Sequence, residues 1–339
     1  MDYNNKNNRR ELFIRWFAWS LTYKDCDPAV WLANYLNDRY EHNIEQKYWF
    51  AWLYGNTYHL PTAWVLMNEF PDYELVTFDR LDWWNTNNYK RLRYQVDLKY
   101  EKGKLPEKFS CYREIIGKSL QKDFFENLLL DNERSSFDNI WNYVLKNFHR
   151  FGRYSVWFYL QQLQSTVNLA IRPTSLMLKD YSGSKSHRNG LLLAIGEDEK
   201  YDTKLTSSEY EYLESIAQDI LNEMLDRFPN LKNDINEFTM ETVLCSFKKI
   251  FRASNGRYLG YYLDRQSEEI LQLEKDAWFG IDWNVLWQAR KESLDIRLSG
   301  ISTINEFKYV EFVENKKLSR LNWLFDDEEE LKVGFEAFI

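Results

Sequence analysis

Cysteine is scarce in this chain of 339 residues: Cys26, Cys111 and Cys245 lie far apart and form no CxxC pair. An odd, scattered set excludes a disulfide framework that uses all three and suits buried free thiols in a reducing compartment. Histidine is as sparse, with only His42, His59, His149 and His187, and no His/Cys spacing has the form of a zinc site, so no metal ligands are assigned from the sequence. Twelve glycines and six prolines leave few turns, which favours long helices over a many-stranded sandwich. No run approaches the roughly 18 to 20 apolar residues of a membrane span. The polar, Asn-rich stretch from Met1 to Arg10 also lacks the apolar centre of a signal peptide, so a cytoplasmic location is expected.

The common nucleotide signatures are missing too. Gly117-Lys118-Ser119 looks like the end of a phosphate-binding P-loop, but the glycine required five residues earlier is Tyr112. There is no GxGxxG and no GxSxG, so a kinase, a simple dehydrogenase or an α/β-hydrolase has no support.

What the chain does have is aromatic: 14 Trp, 23 Tyr and 22 Phe make up 17% of it, within a composition 44% hydrophobic and 28% charged. That is a globular composition rather than a disordered one. Rings fill cores, and they also stack on bases. Trp16, Trp19, Trp49 and Trp52 stand at helical spacing and read as core. The formal net charge is -8, but its distribution matters more than its total for a polyanion ligand. Between Thr86 and Arg188 there are 18 Lys or Arg against 10 Asp or Glu, whereas the remainder carries 26 against 42. A basic middle in an acidic protein suits a confined polyanion site, and equally an ordinary variation in surface charge.

Helical spacing dominates. Asp27-Pro28 is a helix start, Thr206 with Glu209 is a capping box, and Leu213 to Phe228 carries a core stripe. Asp79 to Lys104 reads as polar and basic text with Trp83 and Trp84, and the apolar run Leu191 to Ile195 is too short to assign. The expected architecture is a single compact, mainly α unit over 11–339 behind a flexible stretch of 1–10, with few short strands and a candidate sub-division near 196–206.

One irregular segment concentrates chemistry. Asp180 to Gly190 holds Ser182, Gly183, Ser184, Lys185, Ser186, His187, Arg188 and Asn189, a mixture of hydroxyls, cations and glycine. Glycine lets backbone N–H groups approach an anion, and the cations and hydroxyls add charge and donors, so phosphate or pyrophosphate is the natural guest. An ordinary polar loop is the alternative, although His187 and Arg188 add groups that turns do not need. Lys90, Arg91 and Arg93 follow two tryptophans, and Arg150 and Arg153 flank Gly152 before an aromatic helix; such interleaving can grip a DNA backbone and stack an extruded base. Glu69 and Glu241 are carboxylates among apolar neighbours, where burial would raise their affinity for a proton. Cys245 reads as inert.

Trp52-Leu53-Tyr54-Gly55-Asn56-Thr57-Tyr58-His59-Leu60-Pro61-Thr62, with Asn68-Glu69-Phe70-Pro71, resembles the amino-terminal signature of the phage amino acid:DNA transferases, also called α-glutamyl/putrescinyl-thymine pyrophosphorylases. Further likeness lies in Phe151-Gly152-Arg153-Tyr154, in Asp180 to Gly183 and Ser186 to Gly190, in Arg257 to Arg265, and in Trp283 with Leu286 to Arg290, so it spans about 12–300. The resemblance implies a reaction in which an amine displaces pyrophosphate from 5-(pyrophosphoryloxymethyl)uracil in phage DNA, downstream of a separate base kinase. It implies a largely helical fold; kinship with helix-hairpin-helix DNA glycosylases is an analogy. The implied partners are double-stranded phage DNA and a free amino acid or amine, with no membrane, in the cytoplasm of the infected bacterial host. Mg²⁺ could help to neutralise pyrophosphate, though no carboxylate cluster demands it. Set beside that chemistry, Lys185, Arg188, Asn189 and the Ser182 to Ser186 loop are expected to hold pyrophosphate, and His187, Asp180 or Glu69 to take the proton. Lys90, Arg91, Arg93, Arg150, Arg153 and Tyr58 are expected to hold DNA or the amino acid. A non-catalytic DNA-binding or phage assembly protein and a glycosylase-like base-excising enzyme stay open as alternatives.

Overall fold

The computed structural model describes residues 5–179, 185–251, 260–278 and 280–294. Among them are fourteen α-helices, six 3-10 segments and no strand. The mainly α expectation therefore holds, while the few short strands do not occur among the described residues.

A 3-10 turn at Lys6–Asn8 leads into α1 (Arg9–Thr22), and α2 (Pro28–Arg39) starts on Pro28, whose fixed φ suits a first helical position. A capping box of Asn43 and Gln46 opens α3 (Ile44–Thr57). Tyr58 closes it in the left-handed region, φ 43°, and His59 then accepts the Thr62 amide to cap α4 (Leu60–Glu69). Much of the long amino-terminal signature is thus a helix–helix corner. Thr77 caps α5 (Phe78–Asn88), and a 3-10 stretch at Val96–Lys104 precedes α6 (Leu105–Ile116). Next come α7 (Gln121–Glu126), α8 (Glu133–Asn147) and α9 (Arg153–Val167). α10 (Ser186–Ala194) takes in most of the apolar run that sequence alone leaves unassigned. α11 (Ser207–Arg227) opens on the expected Thr206–Glu209 capping box, and α12 (Glu237–Phe247), α13 (Tyr261–Glu274) and α14 (Asn284–Ser293) complete the set.

The described chain divides into two compact units. The first is built from the described residues up to Pro28 and those of Ser175–Arg265. Its centre is the pair α10 and α12. A Cβ on Gly190 would lie 2.2 Å from the Leu244 carbonyl oxygen, so only glycine lets the two backbones meet at this point. α1 packs on the pair through Phe13, edge-on to Phe247 at 5.3 Å, and through Trp16, whose indole N–H donates to the Ser246 hydroxyl at 3.3 Å. The buried Asp25 carboxylate accepts the backbone N–H groups of Gly260, Tyr262 and Leu263 at 2.8, 2.9 and 3.1 Å, which satisfies the start of α13.

The second unit takes in Ala29–Thr174 and Gln266–Ser293. Here α3 and α9 meet at Gly55, where a Cβ would come within 2.7 Å of the Tyr159 Cβ. Around that crossing the rings form the core: Trp49 stacks on Trp52 at 5.0 Å, Trp52 on Tyr112 at 5.1 Å, and Tyr48 on Phe125 at 5.6 Å. Trp16, Trp49, Trp52 and Trp157 are all fully buried, so packing accounts for much of the aromatic excess.

Candidate functional site

The start of α10 carries Ser186 and His187 of the segment singled out in the sequence, and α12, with the Lys248 that follows it, brings partners to them. Ser186 receives a hydrogen bond from the Lys248 ammonium at 2.7 Å. His187, with no exposed surface, places Nδ1 3.5 Å from the Glu241 carboxylate. The Cys245 thiol, one helical turn beyond Glu241, points to the same carboxylate oxygen at 3.7 Å. Burial and the Glu241 charge push that thiol up to about 12, against the opposing pull of the Ser186 hydroxyl and of Lys248 and Lys249. Cys245 therefore stays a protonated thiol in this environment at neutral pH.

The end of α10 matters as much as its side chains. Its N-cap is Lys185, whose side chain makes no capping hydrogen bond. A helix start offers backbone N–H groups and the positive end of the helix dipole to an anion. The Lys185 ammonium lies 3.3 Å from Asp202 and keeps over a third of its side chain exposed. Arg188 and Asn189 point elsewhere in the same unit. Arg188 is buried and donates to the Tyr210 hydroxyl at 2.8 Å and to the Thr203 carbonyl at 3.4 Å, and Asn189 accepts the Asp202 amide at 3.3 Å. These two residues pin the 202–210 stretch. Asp180, Ser182, Gly183 and Ser184 lie outside the described residues.

The remaining candidates belong to the second unit. Tyr58 is half-buried at the α3–α4 corner, stacked on Phe158 with centroids 3.7 Å apart and edge-on to Tyr154 at 5.5 Å. Arg153 is buried, its guanidinium 5.5 Å from the Trp157 ring centroid. Arg150 bonds Glu101 at 3.2 Å, which also faces the buried Lys108 ammonium at 3.6 Å. Arg91 donates to the Asp276 carbonyl at 2.7 Å and lies over the Trp278 ring at 4.0 Å, and Arg93 pairs with the Asp276 carboxylate at 3.3 Å. Both arginines thus tie the 276–278 segment to their own. Lys90 is exposed, as are Trp83 and Tyr100, while Trp84 is buried. Glu69 is not embedded as its neighbours in sequence suggest: it is half-exposed and paired with Arg80 at 3.2 Å.

A family model described as amino acid:DNA transferase matches residues 20–256, most of the chain. The chain belongs to the amino acid:DNA transferase family. It is 30% identical over 312 residues to a protein of Salmonella phage ViI named serinyltransferase, a match covering 86% of this chain and 75% of that one. No solved structure matches the chain. The protein is accordingly a transferase acting on DNA and an amino acid. No helix among the described residues is long and apolar enough to cross a membrane.

In this transferase, what sequence reasoning missed is Lys248 and the approach of Glu241 and Cys245 to His187. Lys248 carried no signal of its own. Glu241 and Cys245 carried a weak one: four positions apart in a helical segment, they share a face. Nothing in the sequence says that His187 arrives opposite that face, because a glycine contact between distant segments decides it.

Proposed function

We propose that the transferase joins an amino acid, through its amino group, to the methylene carbon of 5-(pyrophosphoryloxymethyl)uracil in DNA. The nitrogen–carbon bond forms, the carbon–oxygen bond to pyrophosphate breaks, and the amine sheds a proton. Pyrophosphate is a good leaving group once its charge is neutralised, so the reaction asks for cations and N–H donors rather than a potent nucleophile. The observation that carries this reading is the start of α10: a lysine N-cap and the Lys248–Ser186 pair, gathered at one helix end. Lys185, Ser186, Lys248 and the amides hold the pyrophosphate, while Arg188 and Asn189 hold the 202–210 stretch behind them.

His187 is fully buried against Glu241, which suits support of this turn better than exchange of a proton with an incoming amine. Proton acceptance is assigned on sequence grounds to Asp180, with Glu69 set aside by its pairing with Arg80. The half-buried Tyr58 ring, backed by the buried Phe158, offers a stacking face for an extruded base, and exposed Lys90 offers charge to the phosphate backbone. A kinase acting on the hydroxymethylated base must supply this substrate, in the cytoplasm of the infected host. Serine is the first amino acid to try, given the name of the phage ViI relative.

The test is to incubate the protein with DNA carrying the pyrophosphorylated base and single amino acids, digest the DNA and weigh the nucleosides. A nucleoside carrying an amino acid, formed with one pyrophosphate released per product, is expected. A folded, DNA-binding protein that leaves the nucleosides unchanged with every amino acid and polyamine contradicts the proposal.

A further inference from the structure

We propose that His187, Glu241 and Cys245 together bind one divalent ion of the zinc class. Three donors of three kinds, an imidazole, a carboxylate and a thiol, converge where α10 crosses α12, with their ligand atoms all within 4.8 Å of one another. Glu241 and Cys245 present from successive turns of α12, and the Gly190–Leu244 contact holds α10 close enough for His187 to complete the group. Two of the separations, 3.5 Å from Nδ1 to Oε1 and 3.7 Å from Sγ to Oε1, are close to the edges of a small tetrahedron. Metal–ligand bonds of about 2.0–2.3 Å place tetrahedral donors roughly 3.3–3.7 Å apart. Closing the group around an ion asks for small side-chain movements rather than movement of the helices.

The donor set selects the ion. A thiolate and an imidazole favour Zn²⁺ and its neighbours, whereas Mg²⁺ requires oxygen donors and an octahedron. Charge is balanced as well. The Cys245 thiol releases its proton to solvent on binding, and the thiolate and carboxylate then offset the two positive charges, which lowers the cost of burying them. Lys248, bonded to Ser186 next to His187, and Lys249 are the opposing cations. Three protein ligands leave a fourth position, which water or an oxygen of a bound anion can take. The site does not depend on the reaction proposed above, because its test reads the ion rather than turnover.

The full chain, prepared in chelator-free buffer, should carry or take up one equivalent of Zn²⁺ by mass spectrometry, and Co²⁺ in its place should give a thiolate-to-cobalt charge-transfer band. Cys245→Ser, checked for folding by circular dichroism, should lose that band, and Cys111→Ser should keep it. Glu241→Gln retains the thiol and examines the site without removing it. Its Zn²⁺ affinity should fall by more than the roughly 10–100-fold typical of losing an outer-shell partner. A folded wild-type protein that takes up no stoichiometric ion, or a cobalt band that survives Cys245→Ser, would overturn the assignment.

Discussion

Lys248 shows how a residue without a sequence signature reaches the candidate site. Its ammonium is largely buried and donates to Ser186 at the first position of α10. If that ammonium neutralises the leaving group, Lys248→Ala should lower kcat by about 10²-fold, the scale of losing one donor to developing negative charge. The melting temperature should change little, and a variant with wild-type kcat would remove Lys248 from the site. His42 offers a separate handle on stability. Burial, aided by the Lys47 charge, holds its imidazole down at about 4, below the ordinary value of 6.5. A folded value below the unfolded one means that stability is full above pH 6.5 and declines as pH falls from there towards 4, where the unfolded chain binds the extra proton. After allowance for partial exposure the loss is about 1–2 kcal/mol. His42→Gln should flatten that slope in denaturant titrations, and an unchanged slope would show that other groups dominate it.

Among the elements, the α10–α12 crossing is the one on which the site depends. Gly190→Ala drives a methyl group against the Leu244 carbonyl, so the helices must part. The cost should be at least about 2 kcal/mol, typical of overpacking at a closed contact, and His187 should lose Glu241. A Gly190→Ala protein with unchanged stability and activity would refute this role. Asp25→Ala should cost about 3 kcal/mol by leaving three N–H groups at the start of α13 without their charged acceptor, read from the shift of the unfolding midpoint. Legibility followed the same division. Helices with a strong cap or a strong stripe could be read from the sequence, α11 with its capping box and α2 with Pro28 above all. α5 could not, because it buries only Leu81, Trp84 and Asn85 and otherwise reads as polar text. α10 stays open at the level of sequence because a short helix buried on most sides shows no period. Composition singled out Lys185 and Ser186 as candidate anion ligands, but it could not place Lys248 beside Ser186, since that depends on a tertiary contact between distant segments.

On the scale of the whole molecule, a net charge of -8 has to be reconciled with a DNA substrate. Many of the basic residues in the middle of the chain are engaged within their unit, as Arg91, Arg93 and Arg150 show, which leaves a small number of exposed cations for phosphate. Binding to DNA should therefore weaken with salt, and Lys90→Ala should reduce the slope of log K against log salt by about 1 if that residue meets a phosphate. An unchanged slope would place the DNA elsewhere on the protein. The central claim is that the start of α10 holds the leaving group, and the most direct measurement is inhibition by inorganic pyrophosphate against the modified DNA. Competitive inhibition by pyrophosphate is expected in the wild type, and in Ser186→Ala and Lys248→Ala an inhibition constant raised about tenfold or more, the equivalent of one charge-assisted hydrogen bond. Inhibition unchanged in both variants, with their folds intact, would contradict it.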